Sequence, residues 1–137
     1  MPRHRYQTVY VDMDQTSYDH AQSICENFGS GLATILDQLN FETLNTTLQG
    51  INAQEYCGQR MYLGATTQGS FAWSWRRGVS ISSNWEHWAP NNPNINGLAC
   101  MRMGVDSTYW MKMFDNDCTN NAYWIPQFKC CICDTLP

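Results

Sequence analysis

The spacing of apolar residues predicts two helices in the first third of the chain. Apolar side chains recur at helical intervals from Tyr18 to Phe28, with Thr16 placed as the N-cap and Gly29 placed to end the helix. A second helix is predicted to begin at Asp37, because apolar residues again repeat every three or four positions along one face: Phe41, Leu44, Leu48 and Ile51.

Period-two alternation and short apolar runs predict strands over residues 8–11, 61–65, 71–75, 98–103, 109–113 and 128–133. Between them, residues 78–97 follow neither period and contain two Trp, two Pro and five Asn. Long irregular segments within compact domains tend to carry function. Helices followed by several short strands predict an α+β fold over residues 6–135, with residues 1–5 as an N-terminal tail.

Composition excludes several classes of protein. A chain of 137 residues has room for one domain, and its net charge of −4 leaves no basic surface for nucleic acid. No apolar run approaches the ~20 residues that cross a bilayer, so no membrane partner is predicted. The three His residues, His4, His20 and His87, are far apart in sequence, and no motif supplies a nucleophile or a phosphate-binding loop. We therefore do not expect an enzyme.

The seven cysteines indicate a disulfide-linked extracellular protein. Only Cys130 and Cys133 have a CxxC spacing, and strand alternation sends their side chains to opposite faces, which argues against zinc. The segment 1–5 is basic but no apolar stretch follows it, so we expect a secreted domain whose leader is absent from this chain. A glycosylation sequon at 45–47 fits this route. Because seven is odd, one thiol remains unpaired.

Short fragments along the chain occur in the order and spacing of a known family. They are Tyr18-x-x-Ala21-x-x-x-Cys25, Gly31-Leu32-Ala33-Thr34-Ile35, Tyr62-Leu63-Gly64, Phe71-Ala72-Trp73-Ser74, Trp85-x-x-Trp88-x-Pro90, Asn92-Pro93-Asn94, Asp115-x-x-Cys118 and Cys131-Ile132-Cys133-Asp134. Together they resemble the C-type lectin-like domain from about Tyr10 to Asp134. The resemblance implies two helices flanking short antiparallel sheets, a long irregular loop and cross-linking disulfides.

The resemblance also implies two disulfides, Cys25–Cys133 and Cys100–Cys118. Cys57 is then expected to bond either Cys130 or Cys131, and the sequence leaves this choice open. The remaining thiol is either buried or links this chain to a second copy or to another protein.

Sugar-binding members of the family hold a glycan through calcium in the long loop, and this chain keeps part of that ligand set. The triplet Asn92-Pro93-Asn94 stands where the family has its Pro-containing triplet, and its Pro is expected to be cis. Asp115 remains from the Trp-Asn-Asp triplet. Leu98 and Phe114 replace two oxygen ligands. Calcium binds best where several carboxylates converge. The resemblance therefore implies a calcium site reduced to Asn92, Asn94 and Asp115, or a loop that binds without metal.

Tryptophans offer contacts that need no metal. Trp73, Trp85 and Trp88 fall at family positions that pack in the core, whereas Trp110 and Trp124 are less constrained and are predicted to contact a ligand. Two functions follow as hypotheses. The first is a domain that binds a glycan or glycoprotein through Asn92, Asn94 and Asp115, with or without calcium. The second is a calcium-independent module for protein or matrix interaction.

Overall fold

A computed structural model of the chain describes residues 5–10, 17–118 and 129–134. Its elements, in chain order, are β1 (Tyr6–Tyr10), α1 (Tyr18–Glu26), β2 (Gly31–Leu32), α2 (Gln38–Gly50), α3 (Ala53–Tyr56), β3 (Arg60–Thr67), β4 (Trp73–Trp75), β5 (Ser80–Ile81), β6 (Ala99–Gly104), β7 (Met113–Asn116) and β8 (Cys130–Asp134). The predicted α+β class and the two principal helices are confirmed.

The helix ends follow from local capping. Oγ of Ser17 accepts a hydrogen bond from the His20 amide at 3.2 Å and so begins α1, while Thr16, the predicted cap, lies outside the described residues. Asp37 caps α2 as predicted, because its carboxylate accepts from the Asn40 amide at 2.8 Å. Gly29 adopts a left-handed φ of +72° just beyond α1, a conformation that favours glycine.

The strand predicted over 109–113 is wrong, since the structure places a turn there and begins β7 at Met113. The carboxylate of Asp106 accepts from the Tyr109 amide at 2.9 Å, and the Lys112 amide donates to the Tyr109 carbonyl at 3.0 Å. Met111 has a φ of +53°, which is incompatible with an extended strand. These local bonds override the alternation of the sequence.

The strands form two antiparallel sheets. The smaller has the order β1-β8-β2, and the larger has the order β5-β4-β3-β6-β7. The core between the larger sheet and α2 contains Leu44, Leu48, Met101 and Trp73. Trp73 and Trp88 are buried and Trp85 is half-buried, as the packing prediction required. Within the described residues, no helix is long and apolar enough to cross a membrane.

A buried carboxylate joins the two sheets. Asp134, at the end of β8, accepts hydrogen bonds from the Thr34 amide at 2.8 Å and the Thr34 hydroxyl at 2.6 Å. Its other oxygen pairs with the guanidinium of Arg76, which follows β4 and also donates to the Leu32 carbonyl at 2.8 Å. Asp134 is 0% exposed, so this network fixes the position of β4 relative to β8.

Three disulfides cross-link the fold. The structure contains Cys25–Cys133 and Cys100–Cys118, the pairs that the resemblance implied, and it pairs Cys57 with Cys130. Cys131 is therefore the free thiol, and it is 3% exposed. A thiol at this depth has no access to a second chain.

Candidate functional site

The long loop between β5 and β6 carries the candidate site, and one carboxylate from β7 organises it. Oδ2 of Asp115 accepts hydrogen bonds from the backbone amides of Asn94 at 2.5 Å and Ile95 at 2.6 Å. The Asp115 amide in turn donates to the side-chain oxygen of Asn92 at 3.3 Å. The Asn92–Pro93 peptide bond is cis. The structure thus brings together Asn92, Asn94 and Asp115, the three residues that the resemblance placed in one site.

The asparagines of this loop differ in exposure and in the hydrogen bonds of their side chains. Asn92 is committed to the fold, because its amide nitrogen donates to the Pro90 carbonyl at 3.0 Å while its oxygen faces Asp115. The side chain of Asn94 is exposed and makes no side-chain hydrogen bond within the described part of the chain. Asn91, also exposed, has a φ of +66°, a left-handed conformation that Asn tolerates better than most residues. The loop therefore presents amide side chains from a fixed backbone.

The far end of the loop is attached to the turn between β3 and β4. The Ser70 amide donates to the side-chain oxygen of Asn96 at 2.9 Å. At the near end, the Ala89 amide donates to the Met113 carbonyl at 2.8 Å, which fixes the loop to β7. The backbone that presents Asn91 and Asn94 is consequently held on both sides.

Aromatic rings support the start of the loop. Trp85 makes edge-to-face contacts with Trp75 and Trp88, at centroid distances of 5.7 and 6.1 Å. His87 stacks on Phe41 of α2 at 3.7 Å. Burial lowers the pKa of His87, and the charge of Glu86 partly opposes this effect. This aromatic cluster is structural, because it connects the loop to α2 and the core.

The residues present do not fit the calcium site that the resemblance implied. Asp115 is the single carboxylate of the cluster, and its Oδ2 is already engaged by two backbone amides. Its Oδ1 is buried and accepts no hydrogen bond from the described residues, so one carboxylate oxygen remains that could bind a metal ion. Calcium takes six to eight oxygen ligands and depends on several carboxylates. Leu98 and Phe114 add only carbon, and no group of three His, Cys, Asp or Glu suited to a metal ion occurs among the residues described.

A positive charge packs on the ring of Phe114, on the face of β7 opposite to Asp115. The guanidinium carbon of Arg60 lies 4.8 Å from the ring centroid of Phe114 and 5.1 Å from that of Tyr109. Burial, the largest cause, lowers the pKa of Arg102 on the adjacent strand β6.

The two predicted tryptophan contacts do not join the loop cluster. Trp110 lies against α2, where its indole nitrogen donates to the side-chain oxygen of Asn45 at 2.9 Å. It lines a cavity of about 240 Å³ with residues of α2 and α3. Trp124 lies outside the described residues.

Sequence reasoning missed the Arg60 contact and the cavity beside Trp110. Part of the Arg60 contact could have been predicted, because strand alternation places Phe114 and Asp115 on opposite faces of β7 and so turns Phe114 away from the cluster. Arg60 is 54 positions earlier in the chain, and only the β3-β6-β7 sheet order brings it near. The cavity depends on the packing of the 105–112 turn on α2, which no local pattern encodes.

Comparison with known proteins gives one family and many solved structures. The family described as "Lectin C-type domain" matches residues 14–128. A C-type lectin, TC14, from the tunicate Polyandrocarpa misakiensis is 19% identical with a TM-score of 0.69, and the alignment covers 97% of this chain and 99% of TC14. The cow carbohydrate-recognition domain of CD23, solved in the presence of a GlcNAc2Man3 oligosaccharide, is 16% identical with a TM-score of 0.69, covering 100% of this chain and 91% of that one.

A third similar structure is a complex of SPL-1 with GlcNAc, at 17% identity and a TM-score of 0.65, covering 95% of this chain and 87% of that one. No curated protein sequence gives a significant match. At these identities the similar structures establish the fold, and the match to the family covers most of the chain.

Proposed function

Because the chain belongs to the C-type lectin domain family, we propose that it is a secreted glycan-binding domain whose contact surface is the loop 91–96. The observation that carries this proposal is the pair of hydrogen bonds from Asn94 and Ile95 to Asp115, which hold the loop in one conformation. A preorganised loop loses little conformational entropy when a ligand binds.

The chemistry of the loop suits neutral sugars. A side-chain amide offers two donors and one acceptor oxygen, and can therefore bond two adjacent hydroxyl groups at once. Asn91 and Asn94 are both exposed on this loop. Two similar structures, of SPL-1 with GlcNAc and of CD23 in the presence of an oligosaccharide, support glycans as the class of ligand.

We propose that binding does not require calcium. The single carboxylate and the carbon side chains of Leu98 and Phe114 weaken a divalent site. The chain's own groups then act by hydrogen bonding alone. No bond is made or broken in the ligand, so the proposed activity is binding and not catalysis.

Secretion is part of the same proposal. Three disulfides persist in oxidising compartments and are rare in the cytosol. Glycans and glycoproteins are the partners expected outside the cell.

A glycan array tests the proposal. Wild-type protein is applied with calcium and with a chelator, beside Asn94→Ala and the control Asn84→Ala, which changes an exposed Asn on the turn before Trp85. We expect the same glycans to be bound with calcium and with chelator, at least tenfold weaker binding for Asn94→Ala, and no change for Asn84→Ala. If the wild-type protein binds no glycan on the array, the proposal is overturned.

One observation favours a second candidate, a module that binds protein. Leu98 is 52% exposed beside the loop, where the family uses an oxygen ligand. An exposed apolar side chain among polar neighbours is typical of a protein contact. Leu98→Ser distinguishes the two functions: glycan binding through Asn94 is unaffected, whereas a protein interface centred on Leu98 is lost.

A further inference from the structure

A cavity of about 240 Å³ lies between α2, α3 and the turn that precedes β7, on a part of the fold that the loop 91–96 does not reach through any described contact. Leu48 and Ala53 are both fully buried and form its floor. Ligand pockets for drug-sized molecules begin at about 300 Å³. This cavity is therefore suited to one small ring.

Trp110 forms one wall of the cavity and is held in a fixed orientation. Its indole nitrogen donates to the Asn45 side chain at 2.9 Å, so the polar edge of the ring is already satisfied by the protein. The ring is half-buried and its remaining surface is available for stacking. An immobilised indole face is a good platform for the C–H face of a sugar ring, because stacking then costs no side-chain entropy.

The rim of the cavity consists of neutral amide side chains from Gln49, Asn52 and Gln54. All three are exposed. Asn52 donates to the Glu55 carboxylate at 2.7 Å and has a φ of +56°, so its side chain is fixed at the cavity mouth. The side chains of Gln49 and Gln54 make no hydrogen bond within the described residues. No charged side chain is among the described residues that line the cavity.

We propose that this cavity is a second saccharide site, which binds a single neutral pyranose ring without metal. The indole of Trp110 stacks on the apolar face of the ring, and the amides of Gln49 and Gln54 bond its hydroxyl groups. The absence of a cationic group in the described lining disfavours acidic sugars. This inference rests on the proposed glycan-binding function and adds a site separate from the loop.

A titration followed by ¹H–¹⁵N correlation spectra tests the site. The intact chain, produced with its three disulfides, is titrated separately with N-acetylglucosamine, galactose, mannose and N-acetylneuraminic acid. The indole signal of Trp110 is assigned by its loss in Trp110→Phe. Two further variants, Gln49→Ala and Gln54→Ala, change exposed side chains and keep the fold. Gln68→Ala, which changes an exposed glutamine on the turn after β3, is the matched control.

We expect at least one neutral sugar to shift the Trp110 indole signal and the backbone amides of residues 49–54. The sugar affinity should fall at least fivefold in Gln49→Ala and Gln54→Ala and stay the same in Gln68→Ala. N-acetylneuraminic acid should leave these signals unchanged.

Two outcomes would overturn the inference while leaving the proposed function to its own test. In the first, sugars shift only the amides of residues 91–96, so glycan binding stands and the cavity is not a site. In the second, none of the four sugars shifts the Trp110 indole or residues 49–54, whatever the glycan array shows. A stronger response to N-acetylneuraminic acid than to the neutral sugars would contradict the proposed ligand class.

Discussion

Phe114 lies beneath Arg60, whose guanidinium carbon is 4.8 Å from the ring centroid. Arg60 also pairs with the carboxylate of Asp106 at 3.2 Å, which holds the guanidinium in place. By the resemblance of the sequence, Phe114 stands where sugar-binding members of the family carry an oxygen ligand. The side chain of Phe114 is therefore engaged by a cation resting on its ring.

The first prediction concerns calcium. The melting temperature should be the same in millimolar calcium and in excess chelator, because the cluster offers one carboxylate and calcium depends on several. A site saturated at 100 times its Kd would stabilise the fold by about 2.7 kcal/mol and raise Tm by roughly 10 °C at this size. Differential scanning fluorimetry measures the shift. A rise in melting temperature of about 10 °C on adding calcium, and none on adding magnesium, would contradict the proposal that the loop binds without calcium.

The second prediction concerns Asp115. Asp115→Ala removes the acceptor of two backbone amides, at 2.5 and 2.6 Å, from a residue that is 7% exposed. Charge-assisted bonds of this kind contribute about 1.5–3 kcal/mol each, so we expect the free energy of unfolding to fall by about 3 kcal/mol. Glycan binding through the loop should be lost as well. Urea denaturation and the glycan array measure the two effects.

Asp106→Asn is the matched control for Asp115, since it breaks a partly exposed ion pair and keeps an acceptor for the Tyr109 amide. Exposed pairs contribute at most about 1 kcal/mol. A loss in Asp115→Ala of no more than about 1 kcal/mol, as small as that in Asp106→Asn, would show that the loop does not depend on Asp115.

The third prediction concerns the free thiol. Burial raises the pKa of Cys131 from 9.0 to about 11. The thiol stays protonated in the folded chain while the unfolded chain ionises, so this stabilisation is complete below pH 9 and is lost as the pH rises towards 11. Stability should therefore fall more steeply over this window in the wild type than in Cys131→Ala. Chemical denaturation at a series of pH values measures the difference.

The same burial predicts that a thiol reagent labels Cys131 only after denaturation. On non-reducing electrophoresis the protein should migrate as a single chain. Rapid labelling of the native protein, or a disulfide-linked dimer that disappears in Cys131→Ala, would show that the thiol reaches the surface.

The fourth prediction concerns the ion pair between Asp134 and Arg76. Asp134→Asn leaves the guanidinium of Arg76, a side chain that is 18% exposed, beside a neutral group. The same substitution weakens the hydrogen bonds from Thr34. Breaking a buried pair costs about 3 kcal/mol or more. Thermal unfolding should show a lower Tm, with the preference among glycans unchanged. An unchanged Tm would mean that the two sheets are held together without this contact.

The sequence predicted the elements whose signals are local. Capping by Asp37 depends on residues within a few positions of one another, and the structure confirms it. Of the predicted apolar face of α2, Leu44 and Leu48 are buried and Phe41 is half-buried, whereas Ile51 is 39% exposed and lies just beyond the helix. The grouping of Asn92, Asn94 and Asp115 came from the resemblance to a family, because 21 residues separate Asn94 from Asp115. The choice of Cys130 over Cys131 as the partner of Cys57 depended on which face of β8 turns towards that cysteine.

Contacts made only by tertiary packing could not be predicted. Arg60 contacts Phe114 because the order β3-β6-β7 places their strands in one sheet, with only β6 between them. Trp110 contacts Asn45 because a turn folds back onto α2. The wrong strand at 109–113 has a related cause, since side-chain capping by Asp106 outweighed the alternation of apolar residues.

The pairing of β1 with β8 places Tyr6 opposite Asp134. Their Cα atoms are separated by about 5 Å, the usual spacing of facing residues in an antiparallel pair. Residues 6–134 can therefore be spliced into a surface loop of an unrelated host protein with short linkers on each side. The host would then carry the loop 91–96 on a scaffold whose two connection points lie about 5 Å apart.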